Sequence, residues 1–209
     1  MSRVEKRAYR SRLREERAEE TRERIVTAAR ELFATRGIAG ATVAAIAAQA
    51  GVAEPTVYAT FGSKREIMAA LLVRTEGAAQ APAWAEQIAN EDDPARKLDL
   101  FAGWSRALFT GSHDLVVAVH RGPGVTELTD EGSRRRRKTL EGLLGTIEGA
   151  GTLRADITVE EAVDRAWILT GPELYLLATA SCGWSPEAYQ DWLSATLHEQ
   201  ILQSSPPAH

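Results

Sequence analysis

The twenty residues from 42 to 61 constrain the fold more strongly than any other part of this chain. They read TVAAIAAQAGVAEPTVYATF, and the pattern rests on Ala47, Gly51 and Val57. A small residue in one short helix lets a second helix cross close over it, and a glycine four positions later can adopt the left-handed conformation of a sharp turn. A β-branched residue six positions further packs into the angle between the helices. The pattern predicts a helix-turn-helix, whose second helix enters the major groove of DNA.

An ordinary helical hairpin is the alternative interpretation of the same pattern. It does not explain why the outward face of the second helix carries Thr56, Tyr58 and Thr60. Short hydroxyl side chains and a phenol suit contacts with phosphates and base edges. The outward face therefore favours DNA binding over a purely structural hairpin.

Helices are predicted on both sides of this segment. Upstream, apolar residues recur at the spacing of one helical face, with Thr21 as the expected cap at the start and Gly37 at the end. The apolar positions are Ile25, Ala28, Ala29, Leu32 and Phe33. Downstream, Ser63 and Glu66 have the S-x-x-E spacing of a capping box. The sequence thus predicts one supporting helix before the pair and one helix after it.

At this point the chain resembles the tetracycline-repressor (TetR) family of bacterial transcription regulators, over about residues 20–75. The matching residues are Ala28, Ala29, Arg30, Glu31, Leu32, Phe33, Gly37, Thr42, Val43, Ile46, Ala47, Ala50, Gly51, Val52, Thr56, Val57, Tyr58, Phe61, Ser63 and Lys64. The resemblance implies an all-α fold, with an N-terminal three-helix helix-turn-helix DNA-binding domain followed by a helical C-terminal effector and dimerisation domain. It also implies a dimeric regulator, a repressor released from a pseudo-palindromic operator by a small-molecule effector.

Seven residues are predicted to bind DNA: Thr42, Pro55, Thr56, Tyr58, Ala59, Thr60 and Lys64. Thr42 should cap the first helix of the pair and leave its terminal N–H groups near a phosphate. The resemblance suggests phosphate contacts for Tyr58 and Lys64. The family often has a basic residue at position 54 and an aromatic residue and a histidine at positions 59 and 60. This chain has Glu54, Ala59 and Thr60 there, so we expect base readout through thymine methyls and threonine hydroxyls.

The net charge of −4 is unevenly distributed. Residues 1–74 hold 14 Lys+Arg and 9 Asp+Glu, a balance of +5, which leaves −9 for residues 75–209. The first 14 residues carry six basic side chains and one glutamate, and Glu15, Glu16, Glu19 and Glu20 follow them. Such a segment is either a flexible basic arm that binds phosphates or the minor groove, or a disordered, solvated tail. The predicted domains are a charged arm at 1–20, the helix-turn-helix domain at 21–75 and the effector and dimerisation domain at 76–209.

The C-terminal region reads as a series of helices. We expect a weak connector at 77–82, a helix after Asp93, a short helix at 114–120, a break at 122–124 and a long helix at 126–150. The basic run at 134–138 could be a second nucleic-acid patch, but a charged helix face is the expected role. The last helices, around 158–181 and 186–203, are expected to pair with a second copy, with Trp192 and Leu197 in the seam. The alternative is that these helices only close the core of the monomer.

Four aromatic residues are candidates for an effector pocket in this region: Phe101, Trp104, Trp167 and Tyr175. Ordinary core packing is the competing interpretation for each of them. The identity of the effector cannot be deduced from the sequence.

Composition points away from other classes of protein. No run of about 18 apolar residues and no apolar signal segment is present, so a cytoplasmic protein without a membrane partner is expected. Cys182 is alone, and neither metal-ligand spacing nor a nucleophile or phosphate-loop motif stands out, so we expect no catalytic residue, no metal and no cofactor. Two alternatives stay open. One is a sequence-tolerant DNA-binding protein without an effector, and the other is a small helical enzyme whose helix-turn-helix mediates protein contacts.

Overall fold

The computed structural model describes the backbone of residues 3–121 and 126–203, and the side chains of residues 12–117 and 132–203. Within these ranges the chain is helical, apart from turns and one isolated antiparallel bridge between Leu153 and Leu202. The all-α fold class is therefore confirmed. The predicted break at 122–124 lies outside the described residues. The helices are α1 Arg3–Gly40, α2 Val43–Ala50, α3 Glu54–Phe61, α4 Lys64–Ala78, α5 Ala81–Asn90, α6 Pro94–Gly111, α7 His113–Arg121, α8 Thr126–Gly149, α9 Val159–Leu169, α10 Pro172–Leu176, a π-helical segment Leu177–Ser181, and α11 Pro186–Ile201.

Helix α1 is much longer than predicted. Thr21 does not cap it, because the helix begins at Arg3 and the Thr21 hydroxyl donates to the Arg17 carbonyl one turn earlier. Residues 3–20 are thus helical and form the N-terminal half of α1, where the sequence predicted either a flexible arm or a disordered tail. Gly37 does interrupt the helix, since its φ of 69° and ψ of 165° lie outside the helical region.

The chain divides into two compact units, and one of the boundaries falls between Val73 and Arg74 inside α4. The first unit contains α1, α2, α3 and the first part of α4, and its core joins the apolar stripe of α1 to apolar side chains of α2 and α3. Side chains that are almost fully buried there are Ile25, Ala29, Leu32, Phe33, Ile46, Ala47, Val57 and Phe61. The stripe and the pair therefore stabilise each other in one helical domain.

The second unit begins at Arg74 and is built around α6 and α11, which pack along each other. Its core is aromatic at the centre: Tyr175 and Tyr189 are both buried, with ring centroids 5.1 Å apart. The helix predicted after Asp93 is confirmed, and the Asp93 side chain caps it. Ser185 caps α11 in the same way, and at Thr158 both hydrogen bonds of a capping box form. Local capping chemistry thus places the starts of α6, α9 and α11.

Helix α5 occupies part of the segment that was predicted to be a connector. It starts after Gln80, whose φ of 54° lies in the left-handed region, and none of its described side chains is fully buried. Trp84 holds it against α6, where the ring lies over Gly103 so closely that a Cβ there would be 2.9 Å from the indole. The helix depends on this contact with α6, which a short-range pattern does not reveal.

The predicted association seam needs correction at Leu197. Leu197 is 0 % exposed and belongs to the core of the single chain, so it closes the monomer. Trp192 is partly buried against the same core and contacts the rings of Tyr189 and Trp184. Its place in a seam stays a prediction. Apolar side chains that are exposed lie elsewhere in this region, at Ile168, Leu177 and Trp184.

The basic run on α8 connects neighbouring helices within the second unit. Arg135 pairs with Glu76 of α4 at 3.1 Å, and Arg137 pairs with Asp164 of α9 at 2.7 Å. Arg136 donates to the carbonyl of Thr170 at the end of α9, where a cation is favourable. These contacts agree with the expected charged helix face.

Candidate nucleic-acid interface

The helix pair α2–α3 has the turn geometry that the sequence predicted. Thr42 caps α2 by accepting a hydrogen bond from the Ala45 N–H at 3.1 Å. Gly51 ends α2 with a φ of 65°, and the Val52 N–H returns to the Ala47 carbonyl at 3.0 Å. Pro55 lies in the first turn of α3, where its missing N–H costs little.

One face of α3 remains in solvent after the pair has packed. Val57 and Phe61 point into the core, whereas Pro55 and Ala59 are exposed and Tyr58 keeps 49 % of its surface. Thr56 and Thr60 are half-buried at the edge of this face. The Thr60 hydroxyl donates to the Thr56 carbonyl at 2.7 Å, so it can meet a base only as an acceptor. An exposed phenol beside threonine oxygens suits phosphates and the amino groups of bases.

Lys64, which is predicted to contact a phosphate, also has a structural role. Its Nζ donates to the carbonyls of Ile38 and Ala41, at 2.7 and 3.2 Å, and so ties the start of α4 to the end of α1. An ammonium group has three donors, which leaves one for a phosphate. The phosphate contact of Lys64 stays a prediction, and removing this side chain would also disturb the fold.

Two arginines of α1 support the turn, and the sequence interpretation missed both. Arg24 donates to the carbonyl of Ala50 through Nε at 3.1 Å and to that of Gly51 through its terminal nitrogen at 2.8 Å. Arg22 places its guanidinium over the ring of Phe61, 4.4 Å from the centroid. These contacts satisfy carbonyls at the C-terminal end of α2 and hold both helices against α1. No local motif marks Arg22 and Arg24, because their partners are more than 25 residues away in sequence.

The four candidate pocket residues lie in the second unit, in three groups of contacts. Phe101 and Trp104 have ring centroids 5.3 Å apart. Tyr175 instead contacts the rings of Phe109 and Tyr189, and its hydroxyl lies 3.2 Å from the Thr110 hydroxyl. Trp167 faces the guanidinium of Arg136 at 4.8 Å. Their role in holding a ligand stays a prediction.

Burial shifts the pKa values of two ionisable groups beside these aromatic residues. It lowers the pKa of the Arg136 guanidinium from its ordinary value, and the nearby charge of Glu173 opposes that shift. Burial raises the pKa of the Tyr189 hydroxyl, and the charge of Arg136 opposes that change. Tyr189 is therefore a neutral hydrogen-bonding group at physiological pH.

No described helix is both long enough and apolar enough to cross a membrane. The described His, Cys, Asp and Glu side chains form no group of three or more that could hold a metal ion.

The fold and the exposed face of α3 define the class of protein: an all-α protein with an N-terminal helix-turn-helix domain. Residues 25–71 match the family model described as bacterial regulatory proteins, tetR family. The N-terminal domain of this chain is therefore similar to the DNA-binding domain of that family.

Curated relatives match a part of the chain. The HTH-type transcriptional regulator SrpR of Pseudomonas putida is 47 % identical over 55 residues, which is 26 % of this chain and 26 % of SrpR. The HTH-type transcriptional regulator TtgR of Pseudomonas putida is 39 % identical over 79 residues, 38 % of each chain. The chain thus spans between about a quarter and two fifths of the length of these relatives.

Solved structures extend the similarity to nearly the whole chain, at the level of the fold. NalD of Pseudomonas aeruginosa, the secondary repressor of the MexAB-OprM multidrug efflux pump, has a TM-score of 0.73 and 20 % identity, covering 90 % of this chain and all of NalD. FadR of Bacillus subtilis, in complex with stearoyl-CoA, has a TM-score of 0.71 and 23 % identity, covering 86 % of this chain and 98 % of FadR. At such identities these two structures support the fold of the second unit and nothing more specific.

Proposed function

We propose that this protein is a dimeric transcriptional repressor that binds a pseudo-palindromic DNA operator through its N-terminal domain and is released by a small-molecule effector. The observation that carries the proposal is the solvent-facing side of α3, which presents Tyr58 with Thr56 and Thr60 at its edge. Arg24 contacts the end of α2 and Arg22 contacts Phe61 of α3, and both hold the helix pair against α1. The match of residues 25–71 to the tetR family model and the names of the relatives support the proposal.

The proposed dimer places the second copy on the exposed apolar side chains of the C-terminal region. Ile168 is 61 % and Leu177 is 54 % exposed, and Trp184 is also exposed. Ile168 lies on α9, Leu177 begins the π-helical segment and Trp184 precedes α11. Exposed apolar side chains of this kind are candidates for an association surface. We call the helix pair α2–α3 the reading head. A two-fold dimer presents two reading heads, and this matches the two-fold symmetry of a palindromic site.

The proposed effector binds in the second unit. The aromatic side chains of that unit, among them Phe101 and Trp104, provide the apolar surface that such ligands require. Helix α4 begins beside the reading head and continues past Arg74 into the second unit, so it can transmit a movement from one unit to the other. An effector that prefers the low-affinity state by about 2.7 kcal/mol would weaken operator binding a hundredfold.

The reading head is tested by removing single hydroxyl groups. We expect Tyr58→Phe to weaken binding to all duplexes alike, because a phosphate contact carries no sequence information. Thr60→Val should instead change the preference at individual base pairs by about 1–3 kcal/mol, because it removes an acceptor for base amino groups. The measurement is affinity for genomic fragments selected by the protein and for duplexes with single base-pair changes.

Thr35→Val is the matched control for Thr60→Val. The Thr35 hydroxyl also donates to a carbonyl four residues earlier, that of Glu31, but it lies on α1 away from α3. Equal selection of genomic and random DNA by the unmodified protein would favour a sequence-tolerant binder. Absence of any DNA binding would contradict the proposed function and favour a protein-contact role for the helix pair.

The effector is tested through intrinsic fluorescence, because all five tryptophans, Trp84, Trp104, Trp167, Trp184 and Trp192, lie in the second unit. We expect some members of a panel of apolar small molecules and acyl-CoA esters to change the fluorescence and to release DNA over the same concentration range. Compounds that change the fluorescence without any effect on operator affinity serve as the control for unrelated binding. If every compound that binds leaves operator affinity unchanged, effector release is disproved for that panel's chemistry.

A further inference from the structure

Arg136 occupies a core-facing position on α8. It lies four residues before Leu140 and eleven before Ile147, so it continues the face of the helix on which those two side chains are buried. Such positions ordinarily carry apolar residues. Arg136 is half-buried, and burial lowers the pKa of its guanidinium. This face of α8 thus holds a positive charge that is partly removed from water.

Among the described residues, carboxylates pair with both neighbours of Arg136 but not with Arg136 itself. Arg135 lies 3.1 Å from Glu76, and Arg137 lies 2.7 Å from Asp164. The described contacts of Arg136 are instead one hydrogen bond to a carbonyl and one stacking contact with a ring. Burying a charge costs free energy unless the charge is paired. Arg136 therefore keeps a charge that an anionic ligand can neutralise.

The contacts of Arg136 fix its guanidinium and leave one edge of it for a ligand. Nη1 donates to the Thr170 carbonyl at 2.6 Å, and the guanidinium lies over the Trp167 ring, 4.8 Å from the centroid. Within the described part of the chain, Nε and Nη2 donate to no acceptor. Their N–H groups point the same way along one edge and form the fork that matches the two oxygens of a carboxylate.

Glu173 is the carboxylate whose charge acts most strongly on Arg136. It acts through space, since no ion pair joins the two described side chains. Its charge would repel an anion that approaches the free edge of Arg136, and so Glu173 should weaken the binding of such a ligand without occupying its place.

Aromatic side chains beside Arg136 favour a ligand that also has an apolar part. The Trp167 ring lies against the guanidinium, and the charge of Arg136 acts on the hydroxyl of Tyr189. The Tyr189 ring in turn contacts the rings of Tyr175 and Trp192, with centroids 5.1 and 6.0 Å away. A ligand with one carboxylate and an apolar body matches this combination of one cation and several rings.

We propose that the effector is an organic acid with an apolar body, and that its carboxylate binds the Nε–Nη2 edge of Arg136. This inference rests on the proposed function and deepens it by naming the chemical class of the effector. A fork of two charge-assisted hydrogen bonds distinguishes the acid from a neutral molecule of the same shape.

The test compares organic acids with their primary amides, which have nearly the same size and no charge. The probes are octanoate with octanamide and phenylacetate with phenylacetamide, titrated calorimetrically into the full-length protein without DNA. We expect at least one acid to bind at least tenfold more tightly than its amide. Arg136→Met keeps an apolar stem and a good helix former, and it should abolish this preference while the amide still binds.

Arg137→Met is the matched control, because it removes the neighbouring charge, which is paired with Asp164. It should leave the preference for the acid intact. Glu173→Gln should tighten binding of the acid several-fold and leave binding of the amide unchanged. If Arg136→Met does not fold, as judged by its melting curve, Arg136→Lys takes its place: it keeps a charge without the fork, and the preference should still fall.

Three results overturn the inference. They are equal affinity for each acid and its amide, no binding of either acid, and a preference that both Arg136 variants leave unchanged. The proposed function is judged separately, by binding of the unmodified protein to DNA and by release of that DNA. Release by neutral compounds alone would overturn the inference and leave the proposed function standing, whereas a failure to bind any DNA would overturn the proposed function.

Discussion

Leu197→Asp is expected to unfold the C-terminal domain. Leu197 is fully buried in the core formed by α6, α9 and α11. Losing a buried leucine side chain costs about 2–5 kcal/mol, and an unpaired carboxylate in its place adds several more. The sum is comparable to the whole stability of an ordinary domain, about 5–15 kcal/mol. Tryptophan fluorescence is the measurement, because every tryptophan lies in this unit.

Ala195→Asp is the matched control for this variant. It places the same charge two residues away on the same helix, at an exposed position. We expect native fluorescence and a nearly unchanged melting temperature. If Leu197→Asp instead gave a stable, folded monomer, Leu197 would belong to an association seam and the burial described above would be incorrect.

Ile168→Asp is expected to give folded monomers that bind the operator weakly. Because Ile168 is largely exposed in the single chain, the substitution leaves the protomer core intact. Two charges would meet across a two-fold interface, and one reading head alone would lose about 10²–10⁴ in affinity through the loss of bivalent binding. Sedimentation at micromolar concentration and operator titration measure the two effects.

Val73→Asp provides the comparison, since Val73 is an equally exposed aliphatic residue on α4, outside the proposed interface. It should leave the oligomeric state unchanged. Sedimentation of the unmodified protein as a monomer, or an Ile168→Asp variant that remains dimeric, would contradict the proposed position of the interface.

The helix-turn-helix was predictable in detail because its determinants are local. A cap at Thr42, a left-handed glycine at 51 and a proline in the first turn of α3 act through neighbours a few residues away. The caps at Asp93, Thr158 and Ser185 were predictable for the same reason. The supporting contacts of Arg22, Arg24 and Lys64 were missed, because each joins α1 to a partner more than 20 residues away.

Residue types and their spacing thus determined the class of fold, the reading head and the starts of the C-terminal helices. Which face of a helix is buried was decided only by the tertiary structure. Helix α11 carries Tyr189 and Leu197, and its sequence pattern fits either a seam between copies or a protomer core. Packing against α6 and α9 made it core, since burying those side chains within one chain needs no second copy. Periodicity shows that a helix has an apolar face, but only the long-range contacts of the folded chain determine what covers it.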